Sequence, residues 1–226
     1  MAEVAEPITR YKALCIDVTD ERAGQQFWSE VLGLEISGRE AHRWLAGETS
    51  QQVVWINEVP EPKTVKNRVH LDVFANSVDE LLALGARRLA DFPHWTVMAA
   101  PDGQEFCAFV RDDPPRHRLK DVVVDSQDPE RIARWWQSVL GGVLDSDPDN
   151  SWWWLDGIAG APFESIDFVP VPEPKTAKNR VHWDVLVNDL GLLVDAGARV
   201  LRPKGGDISW HVMADPDGNE FCAFDD

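Results

Sequence analysis

The chain has 226 residues, and 22 Lys+Arg against 39 Asp+Glu give it a formal charge of −17. A molecule of that sign repels polyanions, so no nucleic-acid partner is expected. Hydrophobic residues make up 44% and charged residues 27%, the balance of a folded globular protein, and the length suits two compact domains or one large one.

No apolar run approaches the roughly 20 residues needed to cross a bilayer, and the opening MAEVAEPITRYK lacks the basic-then-apolar order of a signal peptide. A cytoplasmic protein with no membrane partner is the expectation. Cys15, Cys107 and Cys222 are odd in number and widely spaced, which argues against a disulfide framework and predicts free thiols. Eleven Trp stand against one Tyr. Large aromatics usually pack in cores, yet a surplus of this size suggests that some line a cavity.

In chain order, KALCIDV from Lys12 alternates like a strand, and ERAGQQFWSEVLG spaces Phe27, Val31, Leu32 and Leu34 as an amphipathic helix closed by glycine. A weaker strand follows around Arg43–Leu45, then a strong one in QQVVWINEV, before a Pro-rich hinge at EPK. Beyond the hinge come strand NRVHLDVF, helix SVDELLALGA, strand ARRLAD, strand TVMAAPDG ending in a turn, and strand EFCAFV. The second half reads βαβββ, and the first half, one strand short of it in these patterns, is taken as the same order, βαβββ twice.

The chain then repeats itself. VPEPKTVKNRVHLDV from Val59 returns as VPEPKTAKNRVHWDV from Val171, with thirteen of fifteen positions identical, and PDGQEFCAF from Pro101 returns as PDGNEFCAF from Pro216. FWSEVLG at Phe27 corresponds to WWQSVLG at Trp135. A unit of about 110 residues is duplicated. DDPPRHR, residues 112–118, is the natural joint because its proline pair interrupts regular structure, which predicts one domain over residues 1–113 and another over 114–226.

These residues resemble the vicinal oxygen chelate superfamily, which includes glyoxalase I, bleomycin-resistance proteins and extradiol dioxygenases, and in particular its glyoxalase-like branch common in actinobacteria. The carriers are FW–VLG after the opening strand, the mid-unit NRVHLDV and NRVHWDV, and the closing PDGQEFCAF and PDGNEFCAF. The resemblance implies an α+β fold of tandem glyoxalase-like domains, each of paired βαβββ modules that form an open, curled mixed sheet around a cleft.

Strand alternation puts Arg68, His70 and Asp72 on one face of the mid-unit strand, repeated as Arg180, His182 and Asp184, with the apolar Val69, Leu71 and Val73 on the other. An imidazole beside a carboxylate is a candidate general base, or a donor that orients a ligand, so His70 with Asp72 and His182 with Asp184 are the candidate catalytic pairs. A pair that only fixes a side chain is the competing reading. Cys107 and Cys222 share the face of the closing strand with Phe109 and Phe224, and without a basic neighbour they read as small buried residues rather than nucleophiles.

Metal-binding members of the superfamily place ligands on the first and fourth strands of each module. Carried over position by position, the resemblance puts Ala13, Trp55, His70 and Cys107 in the first unit and Asp121, Asp167, His182 and Cys222 in the second. It therefore implies a metal-free first cleft and a divalent-ion site of Asp121, Asp167, His182 and Cys222 in the second. No cofactor is otherwise assured. Trp55, Trp95 and Trp210, with Arg68, Arg180, Cys107 and Cys222, are the expected ligand-binding residues. The expected partner is a small organic molecule of the aromatic or cationic kind, held as bleomycin-resistance proteins hold theirs, by a monomer or homodimer. The alternative is a metal-dependent lyase, isomerase or epimerase.

Overall fold

The computed structural model describes residues 6–39 and 42–226. The first unit runs β1 (Thr9–Val18), α1 (Glu21–Leu32), β2 (Glu35–Arg39), β3 (His42–Ala46), β4 (Val53–Glu58), β5 (Val69–Ala75), α2 (Val78–Ala83), β6 (Arg87–Asp91), β7 (Thr96–Ala99) and β8 (Glu105–Val110). The second repeats it as β9 (Leu119–Ser126), α3 (Pro129–Leu140), β10 (Val143–Ser146), β11 (Trp153–Asp156), β12 (Ser165–Pro170), β13 (Val181–Val187), α4 (Leu190–Asp195), β14 (Arg199–Arg202), β15 (His211–Ala214) and β16 (Glu220–Asp225). The βαβββ order holds in both halves of each unit, although the strands read before the hinge were one short. The predicted elements lacked β2 and β10, whose mostly exposed edge residues carry no apolar alternation.

Helix starts follow from capping. Asp20, Ser77 and Asp128 each accept from a backbone N–H three residues on, and Pro129 occupies the first turn of α3 where its missing N–H costs nothing. Gly33 ends α1 at φ 65°, and a Cβ there would lie 1.8 Å from the Arg116 carbonyl oxygen, so only glycine lets the joint between the units cross the helix end.

The strands form two open eight-stranded mixed sheets. The first has order β14-β15-β16-β13-β1-β4-β3-β2 and the second β10-β11-β12-β9-β5-β8-β7-β6. Each sheet is a pair of βαβββ modules, one from each unit. Antiparallel pairing of β1 with β13 joins the first sheet, and pairing of β5 with β9 joins the second. The expectation that each unit closes its own cleft is therefore corrected. The modules of one unit separate at the EPK hinge and pair with those of the other.

The helices tie the sheets together. Trp28 on α1, whose module belongs to the first sheet, packs edge-on against Phe106 of the second, with ring centroids 5.6 Å apart. Trp136 on α3, whose module belongs to the second sheet, packs on Phe221 at 5.2 Å and Trp183 at 4.6 Å, both of the first. Val69, Leu71 and Val73 join this shared core, as their alternation predicted. The repeated aromatic pairs of α1 and α3 thus belong to the core, while the opposite faces of the sheets carry the polar residues of the clefts. No described helix is long and apolar enough to cross a membrane.

Candidate functional site

On the polar face of the second sheet, β5 and β8 of the first unit meet β9 and β12 of the second. Across the seams Asp72 stands opposite Asp121, Cys107 opposite Asp72, and Ser165 opposite Asp121. Residues opposite each other in register share a face, so these side chains converge. His70 Nε2 lies 3.6 Å from Asp72 Oδ1 and 3.6 Å from Cys107 Sγ. Burial holds the His70 imidazole down, from an ordinary 6.5 to about 4, with Lys66 adding to the effect. Asp72 moves the other way, to about 8, through burial and then the nearby charges of Asp121 and Asp167. Asp167 is pushed up to about 7 by burial and then by Asp121. Ser165 Oγ donates to Asp121 Oδ1 at 2.9 Å and sits 2.6 Å from Asp167 Oδ1. One hydroxyl proton serves one acceptor, so a proton retained on Asp167 completes the chain from Asp167 through Ser165 to Asp121.

The first sheet repeats the arrangement with different neighbours. His182 Nε2 lies 3.6 Å from Cys222 Sγ and 3.9 Å from Asp184 Oδ1, and Cys15 Sγ donates to Asp184 Oδ1 at 3.5 Å. Burial pushes Asp184 up, and burial beside Asp184 pushes up both thiols. All three cysteines are free and buried, as predicted. High thiol pKa values keep them protonated and poor nucleophiles.

Two lysines that the sequence reading passed over enter both clefts. The pairing of β5 with β9 steps from Asp72–Asp121 to Val73–Leu119, which leaves Lys120 as an extra residue, and that of β1 with β13 leaves Lys12 in the same way. A bulge of this kind breaks strict alternation and re-aims a side chain. Lys120 Nζ thereby stands 5.1 Å over the Phe109 ring and pairs with Asp121, and Lys12 Nζ stands 4.2 Å over Phe224. Trp95 stacks on Phe109 at 6.0 Å, and Trp210 on Phe224 at 5.4 Å. Each cleft therefore carries a row of Trp, Phe and Lys. The recurrence of Lys12 and Asp17 as Lys120 and Asp125 was the available signal in the sequence.

Trp55 lies opposite Cys15 in register and tilts against Trp44 at 5.5 Å, on the face of the first sheet. Trp152 and Trp154 pack together at 4.7 Å, whereas Trp153 between them is buried in the core. Arg68 and Arg180 precede β5 and β13 rather than lying within them. Their guanidinium groups turn to backbone carbonyls in the hinge loops, Arg68 donating to Glu173 at 2.8 Å and Arg180 to Glu61. Both line a cavity between those loops instead of a cleft.

The set Asp121, Asp167, His182 and Cys222 does not come together. β9 and β12 carry the two aspartates in the second sheet, and β13 and β16 carry His182 and Cys222 in the first. Module exchange is the reason. In the second sheet Asp121 and Asp167 are instead brought alongside His70 and Cys107, but Asp121 is engaged through Oδ1 by Ser165 and through Oδ2 by Lys120. In the first sheet the corresponding Ala13 and Trp55 offer no donor. A different group fits an ion better: single donor atoms of His70, Asp72 and Cys107 lie within 4.8 Å of one another, as do those of Cys15, His182 and Asp184. Asp72 Oδ1 is buried with no hydrogen-bond partner, an oxygen that a cation would satisfy.

Residues 13–109 and 121–224 each match the glyoxalase-like domain family. The chain belongs to that family, within the vicinal oxygen chelate superfamily. Among solved structures, glyoxalase I from Zea mays is similar with a TM-score of 0.68 and 17% identity, over 96% of this chain and 92% of that one. The cppA protein of Streptococcus pneumoniae is similar with a TM-score of 0.53 and 13% identity, over 98% of this chain and 100% of that one. At such identities the likeness is one of fold. No match is found among curated proteins.

Proposed function

We propose that this glyoxalase-like protein binds a flat organic molecule in each cleft, in the manner of sequestration. The observation that carries the reading is the recurrence in both sheets of one arrangement, an aromatic wall of Trp and Phe with a lysine above the Phe ring and a buried His–Asp–Cys cluster beside it. The wall supplies apolar contact, the ammonium donates to an oxygen of the ligand, and the buried cluster orients it. The carboxylates of the second sheet favour a ligand with a cationic or hydrogen-bond-donating end. Titration with a panel of planar and cationic compounds, followed by tryptophan fluorescence with and without chelator, tests this. Saturable quenching that survives chelator and weakens in Trp95→Ala or Trp210→Ala is expected. A panel in which nothing saturates removes the reading.

The orphaned Asp72 oxygen supports a second reading, a metal-dependent lyase, isomerase or epimerase. A divalent ion would be held by His70, Asp72 and Cys107, and it would act as a Lewis acid toward oxygens of a substrate. The neutral imidazole of His70 has a lone pair to give, and Asp167 with Ser165 holds a proton within the same cleft. Elemental mass spectrometry on protein purified without chelator tests it. One ion per chain, absent from His70→Ala, supports the reading. No ion after incubation with manganese, iron, nickel, cobalt and zinc salts ends it.

A further inference from the structure

The two most similar stretches of the sequence meet in space. The hinge loops VPEPKTVKNR and VPEPKTAKNR face each other across a cavity of about 310 Å³, apart from the His–Asp–Cys clusters of both sheets. The loops are wired alike. Lys63 pairs with Glu105 and Lys175 with Glu220, both at 2.8 Å or less, while Asn67 and Asn179 donate their backbone N–H groups to the same two glutamates at 3.1 Å. The Arg68 carbonyl accepts from Asp125 N–H and the Arg180 carbonyl from Asp17 N–H, each at 2.7 Å. These bonds fix the start of β5 and β13 and aim both arginines at the cavity.

The charge around this cavity does not balance in the way the rest of the chain suggests. Lys63, Lys66 and Lys178 are matched by Glu105, Asp125 and Asp17. Arg68 and Arg180 are not: their hydrogen bonds go to the carbonyls of Glu173, Glu61 and Asp17, and among the described residues neither guanidinium has a carboxylate within 4 Å. Arg180 is only 7% exposed, whereas Arg68 is half-buried: its Nε is buried without a partner, its Nη1 lies at the exposed edge, and its charge acts on Asp125 without touching it. Glu61 lies at the rim with its side chain half exposed and leans toward Lys178 at 3.7 Å. Guanidinium charge with no carboxylate in direct contact is costly where it is buried, as at Arg180, and its planar fork of donors fits oxyanions. In a chain of net charge −17 two such groups facing one small cavity call for a ligand.

We infer that the cavity between the hinge loops is a binding site for one small, multiply charged oxyanion, of the phosphate or carboxylate class, held between Arg68 and Arg180. The volume is at the small end of ligand pockets. Because both loops contribute to a single cavity, the site takes one ligand per chain, whereas the two clefts take two. The inference is independent of what the clefts bind.

Isothermal titration at low ionic strength with pyrophosphate, and in a separate arm with the tricarboxylate citrate, tests it. Saturable binding of one probe per chain is expected, unchanged in the cleft variant His70→Ala. Affinity falls at least about tenfold in Arg68→Gln, since hydrogen bonds to charged groups are worth that much. Lys66→Gln, at a side chain 60% exposed, is the second variant; because it takes the partner from the buried Asp125, its folding is checked by circular dichroism, and a smaller loss of affinity is expected there. The arm that saturates at the lower concentration assigns the phosphate or the carboxylate class. No saturation by either probe at millimolar concentration, two sites per chain, or equal affinity in the parent and both variants would overturn the inference.

Discussion

Asp72 and Asp121 stand directly opposite each other across the β5–β9 seam, one from each copy of the repeated unit. Burial is the main reason that Asp72 keeps its proton up to about pH 8, and the like charge of Asp121 placed opposite adds to it. Its unfolded-state value is near 3.8, so between pH 4 and 8 the folded state holds a proton that the unfolded state lacks, and stability falls as pH rises through that window. Asp72→Asn should flatten this decline. Above pH 8, in chelator, it should be more stable than the parent by on the order of 2 kcal/mol. Parallel pH dependences of stability for the two proteins across the window would contradict a proton held by buried Asp72.

His70 behaves in the opposite sense. Its folded pKa of about 4 lies below the ordinary 6.5, so its contribution to stability is intact above pH 6.5 and is lost as pH falls toward 4, where the unfolded chain is protonated and the folded one is not. Imidazole resonances followed by NMR in chelator should place the His70 midpoint near pH 4. A midpoint near 6.5 would mean that the ring is solvated and the His–Asp–Cys cluster open.

The module exchange predicts how the chain responds to cutting. Fragments 1–113 and 114–226, separated at the proline joint, should copurify when produced together, because both seams, β1 with β13 and β5 with β9, run between them. Fragment 1–113 alone leaves β1, still paired with β4, and β5, still paired with β8, each with one open edge, and should self-associate by pairing β1 of one copy with β5 of another. Light scattering decides the matter: a folded, monomeric 1–113 fragment is incompatible with the observed strand order.

The bulged lysines predict a local effect on binding. With the ligand of the second cleft identified by fluorescence, Lys120→Met should weaken its binding about tenfold, the value of one hydrogen bond to a charged group, while Lys120→Arg retains most of it. The ligand of the first cleft should be unaffected by either change and should respond to Lys12→Met instead. If Lys120→Met binds both ligands as the parent does, the ammonium has no part in recognition.

Much of this architecture was legible in the sequence because it rests on local patterns. Alternation in NRVHLDV assigned Val69, Leu71 and Val73 to the core and His70 with Asp72 to the cleft, and the duplicated stretches disclosed the repeat. The exchange of modules was not legible, since pairing β5 with β9 rather than β1 depends on where the EPK hinge sends the chain, and the two copies present nearly equivalent strand edges. That one long-range choice regrouped Asp121 and Asp167 with His70 and Cys107. The bulges were equally hidden, because an extra residue at Lys12 or Lys120 is defined only against the partner strand. Arg68 and Arg180 fit the alternation on paper, but the strands begin one residue later, and the side chains serve the loops.

Had the two copies been identical, pairing each with the other would have produced two identical clefts, as in any symmetric dimer. Joining them through the residues around Gly33 and the proline joint removes that constraint. Ala13, Cys15 and Trp55 lie in one sheet where Asp121, Val123 and Asp167 lie in the other, so the first cleft has one more thiol and tryptophan where the second has two more carboxyls. A single polypeptide thereby has the make-up of an obligate heterodimer with subunits always at equal dose, two clefts of different chemistry built on one shared core.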